Sequence, residues 1–514
     1  MLQIKDLTIT HRKDFRVILE DFDMVFNDGD KAVVIGEEGN GKSTLMKWIY
    51  DPELAEEYAE CEGERLLGGE VLGYLPQELP EKDRDKTLYE YFSEEGGLEE
   101  FSPRELAKMA ADFNVPMDFF YGDRQMACLS GGEKVKAQFM RLLMKRPTVL
   151  LLDEPSNDID IETLELLEKI IREWKHIVLF ISHDETLIEN TANMVIHIEQ
   201  ICRKTKSRYT IVKDDYKSYL ERRSDLFDKQ EQKALNDRRE KKIRDEKFNK
   251  VYQSVDHALG AISRQDPSTA KNLKDKMHTV KAMGKRFEKE DEKMTDFPEQ
   301  EEAIFFKLGG ENSHMPAGKT VLEYSLDELT TPDGERVLAR DIFLRVRGPE
   351  RICIVGSNGA GKTTLLKKMA EELLARKDLK AKYMPQNYED MLDLDMTPVE
   401  LLDETGEKSL RTRIRTYLGS LKYTPDEMDH PIRELSGGQK AKILLLKMSL
   451  SDANVLILDE PTRNFSPLSG PVIRKILAEF PGAVISISHD RKYISEVCTK
   501  VYTLTENGLR ENIM

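Results

Sequence analysis

Four short motifs occur twice in this chain, in the same order and at similar spacing. GEEGNGKST, from Gly36 to Thr44, returns as GSNGAGKTT from Gly356 to Thr364; LSGGEK at Leu129 returns as LSGGQK at Leu435. LLLDEP at Leu150 returns as LILDEP at Leu456, and FISHD at Phe180 as SISHD at Ser486. An internal duplication of this kind calls for two similar structural units, and 514 residues are enough for several hydrophobic cores. Each glycine loop follows a short apolar run, from Lys31 to Ile35 and from Arg351 to Val355, and precedes a helical pattern. That order reads as strand, phosphate loop and helix, so the expected fold is α/β: two tandem P-loop domains, each with a mainly parallel central sheet. The halves are bounded at residues 1–210 and 318–514.

The stretch between them, 211–317, has a different character. Residues 214–293 are rich in Lys, Arg, Glu, Asp and Gln, with apolar residues at helical intervals. Leu220, Phe227, Ala234, Phe248, Val251, Val255, Leu259 and Ile262 form one stripe; Leu273, Met277, Val280, Met283 and Phe287 form another. Two such stripes fit the facing sides of an antiparallel helix pair. Gly260 interrupts the first helix, Asp266 and Pro267 suit the cap and first turn of the second, and the hairpin tip is expected near residues 257–266. A first helix of roughly 45 residues would run about 65 Å at ~1.5 Å per residue.

Charge separates this segment from the rest. The chain carries a formal net charge of -17, yet from Arg238 to Arg286 there are 14 basic and six acidic residues, a net +8 that leaves -25 for the remainder. An acidic body with one basic projection is what a protein would need if only the projection met nucleic acid. Other classes fall away. The longest apolar runs are far below the ~20 residues of a membrane-spanning helix, and the start MLQIKDLTIT resembles no secretory leader, so the chain is expected to be cytoplasmic with no membrane partner. Cys61, Cys128, Cys202, Cys353 and Cys498 form no C-x-x-C pair and predict neither a disulfide framework nor a zinc site.

The repeated motifs carry phosphate chemistry. In G-x-x-x-x-G-K-[ST], glycines let backbone N–H groups curl around phosphate oxygens at a helix N-terminus, the lysine meets the terminal phosphates, and the hydroxyl ligates Mg²⁺. Gly36, Gly39, Asn40, Gly41, Lys42, Ser43 and Thr44 fill these posts in the first copy, and Gly356, Asn358, Gly359, Gly361, Lys362, Thr363 and Thr364 in the second. Two apolar strands end in paired carboxylates, Asp153 with Glu154 and Asp459 with Glu460. The first of each pair suits Mg²⁺, and the second suits polarising the water that attacks the γ-phosphate. His183 and His489 each follow the second carboxylate by 29 residues, after another apolar strand. Their expected role is a contact to the γ-phosphate or to the attacking water.

Taken together, these motifs resemble ATP-binding cassettes. The LSGGE and LSGGQ turns (Ser130, Gly131, Gly132; Ser436, Gly437, Gly438) are specific to that superfamily, and Gln77 in GYLPQE and Gln386 in KYMPQN resemble its Q-loops. The resemblance implies ATP and Mg²⁺ as ligands, with Ser43, Gln77, Asp153, Thr363, Gln386 and Asp459 around the metal. It also implies head-to-tail pairing within one monomer, so that Lys42, Asp153, Glu154 and His183 face Ser436 to Gly438, while Lys362, Asp459, Glu460 and His489 face Ser130 to Gly132. The copies are unequal. Phe15 is placed to stack on adenine where its counterpart is Glu335, and EPSNDID in the first copy becomes EPTRNFS in the second, with Ser466 where an aspartate is expected.

Two complete cassettes separated by a long helical segment resemble the ABC-F family of ATPases. That likeness implies binding to the 70S ribosome in its exit (E) site, with the hairpin reaching 23S rRNA, P-site tRNA and the peptidyl-transferase centre. Arg238, Arg239, Lys241, Lys242, Lys271, Lys274, Lys281, Lys285 and Arg286 are the candidate RNA contacts. EPTRNFSPLSG, a modest insertion before the first signature, and no basic extension beyond Met514 resemble the family's antibiotic-resistance branch, which implies target protection. The alternatives are a housekeeping factor acting on stalled ribosomes and the soluble ATPase subunit of a transporter.

Overall fold

A computed structural model describes the chain except residues 95–96, 158, 202–204, 261–266, 292–293, 296, 298–307, 310–312, 332–333, 335, 404 and 513–514. It forms two compact units: residues 1–216 together with 301–514, and residues 217–300.

The larger unit holds both cassettes. In the first, the six-stranded sheet runs Leu72–Leu75, Val149–Asp153, Ile177–Ile181, Lys31–Ile35, Met194–Ile201, Lys206–Val212. All neighbours are parallel except the last pair. The second cassette repeats this order with Ala381–Met384, Val455–Asp459, Ala483–Ile487, Arg351–Val355, Lys500–Thr505 and Gly508–Asn512. Strands Val149–Asp153, Ile177–Ile181, Val455–Asp459 and Ala483–Ile487 are buried at every position. They therefore read as continuous apolar runs, as strands covered on both faces must. This order places each glycine loop and its carboxylate pair at the carboxyl ends of parallel strands on either side of Ile177–Ile181 or Ala483–Ile487, at the edge where α/β sheets hold their ligands.

Each cassette also carries an antiparallel layer that the repeat pattern did not announce. In the first, Leu2–His11 pairs with Val17–Phe26 and Ala59–Leu66; in the second, Thr320–Thr330 pairs with Val337–Arg347. The inner face of the first strand alternates, with Leu2, Ile4, Leu7 and Ile9 buried. The register shifts between Ile4 and Leu7, where Asp6 takes a positive φ and its N–H donates to Asp23 Oδ1.

The smaller unit is the helical hairpin, formed by helices Tyr216–Gly260 and Pro267–Asp291. The first has 45 residues. Gly260 ends it rather than interrupting it, and His257 to Gly260 are helical, so the turn does not begin at His257; residues 261–266, which include Ile262 and the cap residue Asp266, lie outside the described residues. The apolar stripes also need correction. Met277 and Val280 are buried and Phe248 meets Phe287 edge to face, but Val251 and Met283 face solvent, 51% and 46% exposed. A straight helix drifts off a fixed spacing, and Tyr252 and Gly284 take the inner positions. Gly284 lets the helices approach closely there: a Cβ would stand 3.2 Å from Phe248 Cζ. Arg244 ties the helices together through Glu290 and Asp291. Among the described residues no helix is long and apolar enough to cross a membrane.

Candidate functional site

Both phosphate loops close on themselves in the same way. In the first, Gly36, Gly39 and Gly41 have positive φ, and a Cβ on Gly36 would fall 2.3 Å from the Ile198 carbonyl oxygen. Asn40 donates to that carbonyl at 3.1 Å, and Lys42 Nζ donates to the Gly36 and Glu37 carbonyls at 2.9 and 3.0 Å. In the second, Lys362 donates to Gly356 and Ser357 at 2.8 and 2.9 Å, with Gly356, Gly359 and Gly361 again at positive φ. Each loop opens a helix, Lys42–Tyr50 or Lys362–Ala375, so that backbone N–H groups and a lysine converge on one anion site.

The first carboxylate pair is fully furnished. Ser43 Oγ donates to Asp153 Oδ1 at 2.9 Å and the Tyr74 hydroxyl to Asp153 Oδ2 at 3.2 Å. Gln77 Nε2 donates to Glu154 Oε2 at 2.9 Å, Asn157 donates to the same oxygen, and His183 Nε2 lies 3.2 Å from Oε1. Gln77 thus sits on the Glu154 carboxylate rather than on Asp153. Burial would raise Glu154, but His183, Lys42 and these bonds hold it down at about 2; Asp153 is raised to about 6 by burial and the neighbouring Glu154 charge.

In the second pair the furniture differs. Glu460 accepts the His489 backbone N–H at 3.3 Å, and His489 Nε2 stands 3.8 Å from Oε1. Arg463 occupies the position of Asn157. Burial and the Asp459 charge push Glu460 up to about 8, while burial and Lys362 depress His489 to about 4. Both Asp459 oxygens are buried with no hydrogen-bond partner among the described residues, and Thr363 lines the same cavity. No cluster of three His, Cys, Asp or Glu side chains that could hold a metal occurs among the described residues. One carboxylate and one hydroxyl per site, at the second site beside a cavity that can take phosphate oxygens, fit Mg²⁺ bound jointly with a nucleotide.

The two cassettes lie head to tail. A cavity of 540 Å³ brings Ser130 and Gly131 of the first signature opposite Asn358, Gly359, Gly361, Lys362, Thr363, Thr364, Gln386, Asp459, Glu460 and His489 of the second cassette. His183 reaches the same space from the first. Asp160 crosses over and accepts the Asn358 N–H at 3.4 Å. On the other side, Ser436 and Gly438 of the second signature meet Glu37 and Glu38 of the first phosphate loop around only 20 Å³. There Ser466, the counterpart of Asp160, turns inward to Ser469 Oγ at 3.1 Å. Both signature serines cap their helices, Ser130 with Glu133 and Ser436 with Gln439. Phe15 is 79% exposed at a positive φ, and its neighbour Arg16 donates to the Gly39 carbonyl at 3.3 Å; Glu335 lies outside the described residues.

Several residues escaped the motif reading. Tyr74 supports Asp153 from three positions before Gln77, and Tyr383 holds the matching place before Gln386; the shared Tyr-x-Pro-Gln spacing was the available signal. The cassettes are also joined by a buried ionic cluster. Arg474 donates to Glu185 at 2.6 and 3.2 Å and to Glu496 at 2.6 Å, Lys492 reaches Glu185 at 3.1 Å, and Arg491 reaches Glu168 at 2.9 Å. Nothing in the motifs marks these residues.

A family model described as ABC transporter matches residues 19–157 and 339–463, more than half of the chain. The ribosome protection protein VmlR of Bacillus subtilis is 27% identical over all of this chain and 89% of its own length. The ATP-binding protein Uup of Escherichia coli is 26% identical over 96% of this chain and 78% of its own. Among solved structures, that of the archaeal ribosome recycling factor aABCE1 with the stalk protein aP1 matches 98% of this chain and 89% of that one, with a TM-score of 0.60 at 17% identity, a likeness of fold. With duplicated phosphate loops, signature turns and carboxylate pairs assembled as described, the chain belongs to the ABC transporter family as an ABC-F protein, an ATP hydrolase with two ATP-binding cassettes joined in sequence by a helical hairpin.

Proposed function

We propose that this ATPase acts on the 70S ribosome as a target-protection factor against antibiotics. The observation that carries the reading is the hairpin: a separate unit, net +8 between Arg238 and Arg286, placed between two complete cassettes in a chain that resembles a ribosome protection protein along its whole length. Most of its cations face solvent. Arg239, Lys242, Lys271, Lys274, Lys281 and Lys285 are exposed, whereas Lys241 pairs with Asp291, Arg286 with Glu290, and Arg238 stacks on Phe297 at 4.0 Å. The first six are therefore the cations for phosphate contact with 23S rRNA and P-site tRNA.

At each composite site the chain's own groups divide the work. Backbone N–H groups of the phosphate loop and Lys42 or Lys362 hold the phosphates. Glu154 orients and deprotonates the attacking water at its site, as Glu460 would at the other once a cation on Asp459 offsets the charge that raises it, and His183 or His489 orients that glutamate and faces the γ-phosphate. Ser43 with Asp153, and Thr363 with Asp459, would hold Mg²⁺, whose chemistry is to neutralise charge on the phosphates. Gln77 and Gln386 line the two sites, and Phe15 stacks on the adenine of the first. Ser436 to Gly438 and Ser130 to Gly132 close over the opposite phosphate loops. The ATP-closed form binds the exit site, the hairpin approaches the peptidyl-transferase centre near residues 257–266, and hydrolysis releases it.

Protection is tested by expressing the protein in a susceptible strain and measuring inhibitory concentrations of drugs that bind the peptidyl-transferase centre. A rise that is lost when Lys271, Lys274, Lys281 and Lys285 become Gln is expected. Unchanged concentrations for every such drug, with slowed translation on deletion in drug-free cells, would replace protection by a housekeeping role.

A further inference from the structure

One pair of contacts across the cassette interface is made by two carboxylates that the duplicated phosphate loop lacks. Glu38, in the first phosphate loop, directs its carboxylate across the cassette interface, where Oε2 accepts the Gly438 N–H at 2.6 Å. Beside it, Glu37 Oε1 pairs with Lys442 Nζ at 2.9 Å, and Lys442 is 9% exposed. Gly438 belongs to the first turn of helix Gly437–Leu450, so Glu38 supplies an anion to a helix N-terminus with a buried cation one turn further on. The duplicated loop has Ser357 and Asn358 at these positions, both uncharged, and there the signature faces a cavity of 540 Å³ rather than 20 Å³. A phosphate loop that must receive a triphosphate ordinarily gains nothing from two carboxylates, since like charges repel most strongly where water is scarce.

From these contacts we infer that Glu38 sets the preference of the first composite site between nucleoside triphosphate and diphosphate. Its carboxylate takes the signature N–H that a terminal phosphate would take. The γ-phosphate of ATP must displace Glu38 to reach Gly438 and meets its charge while doing so. ADP has no γ-phosphate and leaves the contact in place, so this site remains shut over the product. The second site, with Asn358 in the same position, carries no such bias. This inference rests on the composite-site reading given above.

Full-length protein carrying Lys362→Ala, which leaves only the first phosphate loop intact, provides the test. Equilibrium titration with fluorescent analogues of ATP and ADP, in Mg²⁺, is compared with and without Glu38→Gln, a substitution that keeps size and hydrogen-bonding capacity. ATP affinity is expected to rise about tenfold relative to ADP, the scale of one hydrogen bond to a charged group. The reciprocal Asn358→Glu, in a Lys42→Ala background, is expected to lower the same ratio at the second site by a similar factor. ATP-to-ADP ratios unchanged within about twofold in both pairs would overturn the role of Glu38 while leaving the composite sites standing. If ATP binding in the Lys362→Ala protein did not depend on Ser436 or Gly438, the composite-site reading would fall and this inference with it.

Discussion

The two composite ATP sites share a fold, a motif set and a strand order, and still they are not the same site. Around Glu154 the chain places Gln77, Asn157 and His183, and the opposing signature is met by Glu38. Around Glu460 an arginine takes the place of Asn157, the signature stands back across a cavity, and Asp160 bridges to Asn358. A duplicated scaffold fixes where phosphates and carboxylates lie, because strand ends and helix N-termini fix it. What each site does with them is set by single side chains that the duplication does not protect.

The sharpest way to test that difference is to remove one glutamate at a time. Glu154→Gln should lower steady-state phosphate release by about a hundredfold or more, in the range expected for loss of a general base, while Glu460→Gln should cost clearly less. Equal losses would erase the comparison. Next in size is the ionic cluster common to both sites. Arg474→Ala leaves Glu185, 5% exposed, without its main partner, and should destabilise the cassette pairing by about 3–5 kcal/mol, read as a lower unfolding temperature. Both sites should lose activity together; if only one does, the cluster does not serve as their shared support. A smaller effect is expected from the crossing aspartate. Asp160→Ala removes one hydrogen bond and should weaken ATP binding at the second site several-fold, with little change at the first. Ser466→Asp asks whether the missing bridge can be restored. Least of all, Gly284→Ala, which touches neither site, should change hairpin stability by less than about 1 kcal/mol, the gain in helix propensity offsetting the close approach to Phe248, so that amide exchange in residues 267–291 and ATP turnover both stay near those of the parent protein.

The contrast also explains what the sequence could tell. The central sheets were legible because strands buried on both faces are unbroken apolar runs, and the phosphate loops because glycine, lysine and hydroxyl spacing admits few other uses. Head-to-tail pairing was legible only through family resemblance. The antiparallel layers were not foreseen, although Leu2, Ile4, Leu7 and Ile9 alternate; the shift at Asp6 interrupts the period and shortens the signal. The hairpin stripes were correct in kind but slipped by one residue at Val251 and Met283, because a fixed spacing does not track 3.6 residues per turn over a long helix. Arg474 and Glu185 could not have been paired from sequence, as their attraction depends on how two distant helices pack. Glu38 was visible in principle, since aligning the two phosphate loops sets it against Asn358.

The most direct test of the account as a whole is co-sedimentation with 70S ribosomes of the protein carrying both Glu154→Gln and Glu460→Gln, which should hold ATP without hydrolysing it. Stable association is expected in ATP, little in ADP, and binding should be lost when the exposed cations Lys271, Lys274, Lys281 and Lys285 are neutralised. Failure to sediment with ribosomes in ATP, or binding indifferent to both nucleotide and hairpin charge, would contradict it.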